Sequence, residues 1–254
     1  LEIMENGDDF DFIRDANLDI TLHSSLISLS DLGYFIEPLR GMNKEILFSG
    51  SIHGTVEEMN GRDIMISYSD STMLVCDFDL SGMPDIDNTF MFIRIGSLTS
   101  TAHEIAEIEI PGTGRLDPGD EFRKLGAISF NGNFTGFIRD FVTYGTLNTG
   151  LGSFSTDILF RPDTSNAFFY KGTLQAHSVG LGKVLDREDI LGSLTARMDV
   201  EGTSRSFKNF RADIEATIES LEFMDYTYRD IEINGLVTEK IWDGAISSAT
   251  EDLK

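Results

Sequence analysis

Cysteine is almost absent from this chain. Cys76 is the only one in 254 residues, so no disulfide closes within it and no cysteine-based zinc site forms. Basic residues are also scarce: 20 Lys and Arg stand against 43 Asp and Glu, a formal charge of -23. That balance excludes nucleic acid as a natural partner, because phosphates demand a basic footprint. It also argues against docking on an anionic membrane surface by charge. No apolar run approaches the roughly 18 residues that a membrane-spanning helix needs. No basic stretch followed by an apolar one opens the chain, so no signal peptide is visible. The chain starts at Leu1 and is read as a piece of something longer. His23, His53, His103 and His177 have no close-spaced pair, which fits solvated or strand-packed imidazoles rather than a metal or catalytic set. No GxSxG elbow occurs, and Gly150-Leu151-Gly152 and Gly180-Leu181-Gly182 are too short for a dinucleotide fingerprint. The chain is therefore read as a protein that is not an enzyme.

What it has instead is alternation. Hydrophobic residues make up 41% of it, enough to build a packed β domain, and they recur with period two. Ile46, Phe48, Gly50, Ile52, Gly54 and Val56 fall on one side of an expected strand. Ile128, Phe130, Gly132, Phe134 and Gly136 repeat the pattern, and Leu194, Ala196, Met198, Val200 and Gly202 come close to it. Successive side chains of a strand point to opposite faces, so such runs predict sheets with one apolar face. Phe154, Thr156, Ile158 and Phe160 share a face, as do Phe168, Tyr170, Gly172 and Leu174. So do Phe210, Ala212, Ile214, Ala216 and Ile218, and likewise Ile231, Ile233 and Gly235.

Along the chain, strands are expected at Leu18–Leu22, 45–56, 64–68, 71–80 and 89–95. From Leu125 onward they follow at 126–136, 140–149, 152–161, 167–177, 191–202, 206–220, 226–238 and 240–247. Asn60-Gly61 reads as a tight turn between two runs. Short helical turns are expected at Ser30–Glu37, ended by Pro38, at Thr99–Glu107, at Pro118–Lys124 and around Asp186–Asp189. Loop residues at 111–120 suggest two blocks. Residues 1–115 form an N-terminal β block with helical turns, and residues 116–254 a C-terminal β-groove block continuous with it. Short connections make neighbouring strands antiparallel. About fifteen strands at roughly 4.8 Å each would span on the order of 70 Å if left flat, and open sheets of that size curl or split to cover their apolar side.

Two chemical signals compete with plain strand packing. Asp77-Phe78-Asp79-Leu80-Ser81-Gly82 resembles the start of a calcium loop, but Asn88 stands where the bidentate Glu belongs and no helices flank it. The same carboxylates can also be paired as a glycosidase acid and base. Against both, Asp77 and Asp79 lie on the polar side of a strand whose other side is Cys76, Phe78 and Leu80. Phe168, Phe169 and Tyr170, and Tyr226 with Tyr228, are aromatics that stack on ligands or pack across strands.

The second half resembles a known family. Leu125 to Gly136, Asp140-Phe141, Gly145 to Gly152, Tyr170 to Leu174, Gly192 to Thr195 and Tyr226 to Gly235 look like the TamB family (AsmA-like, translocation and assembly module). Leu80 to Ile86 and Tyr34 to Met42 continue the likeness. The resemblance implies an elongated, half-open β-groove with an apolar interior, in a periplasmic protein anchored to the inner membrane. It implies phospholipid acyl chains as ligands, passage of lipid to the outer membrane, and a TamA or BamA-like barrel as partner of the full-length protein. No cofactor or metal is implied.

The expectation is thus an all-β chain, a long antiparallel meander curled into a half-open groove. Its candidate lining in the first part is Ile46, Phe48, Ile52, Ile128, Phe130, Phe134, Phe154, Ile158 and Phe160. Phe168, Tyr170, Leu174, Leu194, Met198, Ile214, Ile218, Ile231 and Ile233 complete it. Two other uses of the same alternation are an envelope scaffold or chaperone-like module that pairs with client β-strands, and a β-sandwich adhesin or sugar-binding module.

Overall fold

A computed structural model describes residues 11–33, 39–110, 114–115, 120–163, 167–206, 209–238 and 241–248. A one-turn helix α1 (Phe12–Asp15) precedes β1 (Leu18–Ser28), and α2 (Leu29–Leu32) follows it. Next come β2 (Glu45–Gly54), β3 (Glu58–Ser67), β4 (Met73–Ser81) and β5 (Phe90–Thr101). Beyond β5 lie α3 (Ala102–Ala106), the two-residue strands β6 (Glu109–Ile110) and β7 (Gly114–Arg115), and α4 (Asp120–Arg123). The rest is β8 (Ala127–Phe137), β9 (Asp140–Thr149), β10 (Gly152–Pro162), β11 (Phe168–Gly180), α5 (Leu181–Leu185), β12 (Leu191–Ser206), β13 (Asn209–Phe223), β14 (Tyr226–Thr238) and β15 (Trp242–Ser248).

The expected antiparallel meander forms. Thirteen strands make one sheet in chain order, from β1 through β5 and β8 to β15, and its two edges do not meet. β6 and β7 pair only with each other, and β5 pairs directly with β8 across the intervening segment. The chain exposes 16273 Å², where a compact monomer of its 28.2 kDa exposes about 11,000 Å². No helix among the described residues is long and apolar enough to cross a membrane.

Bulges are unevenly distributed along the sheet. Every ladder from β1–β2 through β5–β8 carries a register shift, as do β11–β12 and β12–β13. The β8–β9, β9–β10 and β10–β11 ladders run without one. Each bulge bends and twists its strand. Three bulges carry a non-glycine residue in the left-handed region: Ser24 (φ 46), Asp63 (φ 52) and Ser178 (φ 49). In each case a side chain from the neighbouring strand accepts the displaced main-chain N–H. Ser49 Oγ accepts from Ser24 at 2.9 Å, Asp77 Oδ1 from Asp63 at 2.9 Å, and Thr195 Oγ1 from Ser178 at 3.1 Å. Strands β2 to β4 hold the deepest core, where Phe48, Ile64 and Cys76 are buried and Ile64 is 1% exposed.

Several local expectations change. Asn60-Gly61 lies inside β3, not at a turn. The turn of this same β2–β3 connection comes a few residues earlier, where the Thr55 N–H donates to Glu58 O at 2.8 Å and the Glu58 N–H donates to Thr55 Oγ1 at 3.0 Å. Gly61 is needed for space, because the Phe78 ring lies where its Cβ would be. The helical turn expected at Asp186–Asp189 sits earlier, as α5. Asp186 ends that helix in the left-handed conformation (φ 55), and the buried Gly182 lets the helix close onto β12. β5 extends through Thr101, so Thr99–Thr101 is strand. Thr101 then caps α3, its hydroxyl accepting the Glu104 N–H at 3.1 Å. Of the turn expected at Ser30–Glu37, the described part is α2 with Ser28 at its N-cap. Residues 34–38 lie outside the described residues, as do 118–119 just before α4.

Candidate functional site: an uncharged face across the sheet

Strand register lines up one row of side chains after another on a single face. One row runs Phe48, Ile66, Leu74, Leu98, Phe130, Leu147, Phe154, Ala176, Ala196, Ile218 and Ile231, each opposite the next. A second runs Ile64, Cys76, Ile95, Gly132, Gly145, Thr156, Leu174, Met198, Ala216, Ile233 and Ile246. A third runs Ile20, Ile52, Gly61, Phe78, Ile93, Phe134, Thr143, Ile158, Gly172, Val200, Ile214, Gly235 and Gly244. A fourth includes Met59, Leu80, Met91, Gly136, Phe141, Phe160, Tyr170, Gly202, Ala212, Val237 and Trp242. No Asp, Glu, Lys or Arg stands in any of these rows.

All eighteen residues expected to line a groove lie on this face. Ile46, Ile128, Leu194 and Phe168 sit two strand positions beyond Phe48, Phe130, Ala196 and Tyr170, which places them on the same side. The face also holds residues that were not singled out, among them Phe141, Leu147, Leu98 and Trp242. On β9 the set Phe141, Thr143, Gly145 and Leu147 is diluted by threonine and glycine, and Val142 and Tyr144 carry apolar atoms on the opposite side. Alternation there is faint in the sequence.

Two devices shape the floor. The rings of Phe134, Phe141, Phe160 and Phe168 stack across β8 to β11, with centroids 4.9, 5.2 and 4.8 Å apart and planes within 30° of parallel. Elsewhere an aromatic ring lies flat over glycines of its own or neighbouring strands. Phe130 covers Gly132 and Gly145, Tyr170 covers Gly202, and Trp242 covers Gly235 and Gly244. A Cβ at Gly145 would come within 2.6 Å of the Phe130 ring. Glycine here makes room for a ring that shields main chain from the groove. The floor is almost free of unpaired polar atoms. Among the described residues, Thr156 Oγ1 is the buried side-chain oxygen without a hydrogen-bond partner.

The opposite face carries the charge. Lys171 Nζ lies 2.8 Å from Glu201 Oε2, and that hydrogen bond and charge hold the Lys171 pKa above its ordinary value. Asp199 accepts a short hydrogen bond from Thr173 and lies 3.4 Å from Arg197, which together hold its carboxyl below the usual range. Asp79 lies 2.5 Å from Arg62, and Asp77 3.7 Å from Arg94. The two carboxylates weighed for calcium or glycoside chemistry are thus committed to arginines and to the Asp63 bulge. No group of metal-ligating side chains gathers among the described residues. His53 Nδ1 lies 3.0 Å from Asp19 Oδ1 on the same outer face.

Exposure along the apolar face is graded. It is lowest at Ile46, Phe48, Ile64 and Cys76 on β2 to β4, intermediate at most other positions, and high at both edges, where Ile20 is 37%, Trp242 44% and Ile246 62% exposed. The arrangement is an uncharged trough lined by hydrocarbon, with aromatic patches and an acidic exterior. No family model, curated protein or solved structure matches this chain.

Proposed function

We propose that the chain binds lipid acyl chains along its apolar face, as a segment of a periplasm-spanning envelope-biogenesis protein that resembles the TamB family. The observation that carries this reading is the set of apolar rows that cross the sheet without one charged side chain. An acyl chain laying roughly ten methylenes along such a face gains about 8 kcal/mol of transfer free energy before entropy losses. Charged headgroups find no partner on the floor and stay at the open side. A uniform lining lets a chain slide between equivalent sites, which suits a conduit for phospholipid moving toward the outer membrane. The acidic exterior keeps the element soluble. On this reading the protein binds and conducts and carries out no chemistry. The full-length protein would be inner-membrane anchored and would meet a TamA or BamA-like barrel through other parts. A sandwich adhesin is less well supported, because it needs two facing sheets and the chain forms one main sheet.

Photocrosslinking tests the proposal without introducing charge into the face. Benzoylphenylalanine is placed at Phe130 or Phe154 on the apolar face, and at Phe137 or Tyr144 on the other. The protein is then incubated with palmitoyl-oleoyl phosphatidylethanolamine and irradiated. Lipid adducts are expected from the first pair and not the second. Equal yields from both pairs, or none from Phe130 and Phe154, overturn the proposal.

A further inference from the structure

The trough is filled at one end by the chain itself. At β2 to β4, Phe48, Ile64 and Cys76 are buried, and side chains of β1 to β5, from Leu22 and Ile27 to Ile93 and Ile95, pack against them. Both rims are tied down at the same end. At one, the Gly82 N–H donates to Glu57 O at 2.8 Å, and Val56, Met83 and Met91 are buried. At the other, Glu104 of α3 accepts from the Ser69 hydroxyl at 2.7 Å and from the Thr72 hydroxyl, which joins α3 to the β3–β4 turn. Ala102 and Ala106 of that helix are 0% and 1% exposed. From β8 onward the face is different. Phe130, Phe141, Leu147, Phe154, Ile158 and Leu174 are half-buried, and the stacked rings pave part of the floor. Ile128, Val179 and Ile231 are buried there, but they lie on three different strands and outside the Phe48–Ile64–Cys76 cluster.

We infer that β1 to β5 form a stopper that closes one end of the trough, and that acyl chains seat only from β8 onward. This inference rests on the lipid reading proposed for the face. An acyl chain gains free energy only from apolar surface that water still touches. Ile64, 1% exposed, offers none. Seating a chain there means parting a packed core whose two rims are also pinned. A lipid that slides along the sheet therefore stops at β5, and it enters and leaves through the strands beyond.

The probe is phosphatidylethanolamine carrying a diazirine on one acyl chain. It is added to the unmodified protein and irradiated, and the adducts are mapped by peptide mass spectrometry. Adducts are expected on the apolar residues of β8 to β14. The yield at Ile46, Phe48, Ile64 and Cys76 is expected to be lower by about tenfold or more, because contact there needs local unfolding. Comparable yields at these four residues overturn the stopper and leave the lipid reading standing. Adducts confined to the outer face, or no adducts at all, overturn the lipid reading and the stopper with it.

Discussion

Phe141 on β9 stacks on Phe160 of β10, with ring centroids 5.2 Å apart and planes 26° from parallel. The two residues are direct register partners, so the ladder of strands sets the stack. Phe134 and Phe168 extend it on either side. Neither central ring is fully buried, so truncation costs less than in a sealed core. Phe141→Ala and Phe160→Ala are each expected to cost about 2 kcal/mol, below the range for fully buried phenylalanine. The double variant is expected to show a coupling of about 1 kcal/mol. Urea unfolding of the four proteins checks this, and strict additivity contradicts it.

Gly61 and Phe78 form the simplest ring-over-glycine pair. All three atoms nearest a Cβ at Gly61 belong to the Phe78 ring, and Cζ lies 2.5 Å away. Gly61→Ala is expected to destabilise by about 1–3 kcal/mol through overpacking. In a Phe78→Ala background the same change becomes neutral or stabilising, because alanine suits a strand better than glycine once the space is free. Thermal unfolding of the single and double variants separates these outcomes.

Asp77 acts as a staple. Its Oδ1 accepts the N–H of Asp63, which the bulge turns out of the ladder. Asp77→Ala is expected to cost roughly 1–2 kcal/mol by leaving that N–H without its acceptor. Asp77→Asn keeps an oxygen and loses less. If calcium titration instead raised the melting temperature of the parent and not of Asp77→Ala, the staple reading would be wrong.

Glu104 supplies a pH dependence. Hydrogen bonds from the Thr72 and Ser69 hydroxyls, the second at 2.7 Å, hold its carboxyl below the ordinary value of 4.5. A depressed folded-state pKa contributes stability that is fully present above the unfolded value and is lost as pH falls through the folded one. The parent is expected to be more stable than Glu104→Gln near neutral pH, with the difference shrinking as pH falls below 4.5 and through the lowered folded-state value. Denaturation midpoints of both proteins across that range test it. A gap that persists at the acid end contradicts it.

Much of this architecture is legible because strand periodicity survives any tertiary context. Phe154, Ile158 and Phe160 alternate in the sequence and therefore share a face wherever the strand goes. Asn60-Gly61 shows where local reasoning fails. The dipeptide favours a turn, yet a distant ring over Gly61 requires a small residue in mid-strand. Asp77 shows another failure. Its neighbour Asp79 suggested a carboxylate pair, whereas the main-chain N–H it accepts belongs to a bulge that no local pattern announces.

The sequence by itself determined the strands, their polar and apolar sides, their antiparallel order and the near-absence of charge on one side, because each follows from period-two patterning and short connections. Only the tertiary structure decided how deeply that side is enclosed and where each strand is displaced from its neighbour. Those properties depend on where bulges interrupt the ladders. The main-chain N–H that a bulge displaces is held by a side chain of another strand, as Asp63 is by Asp77.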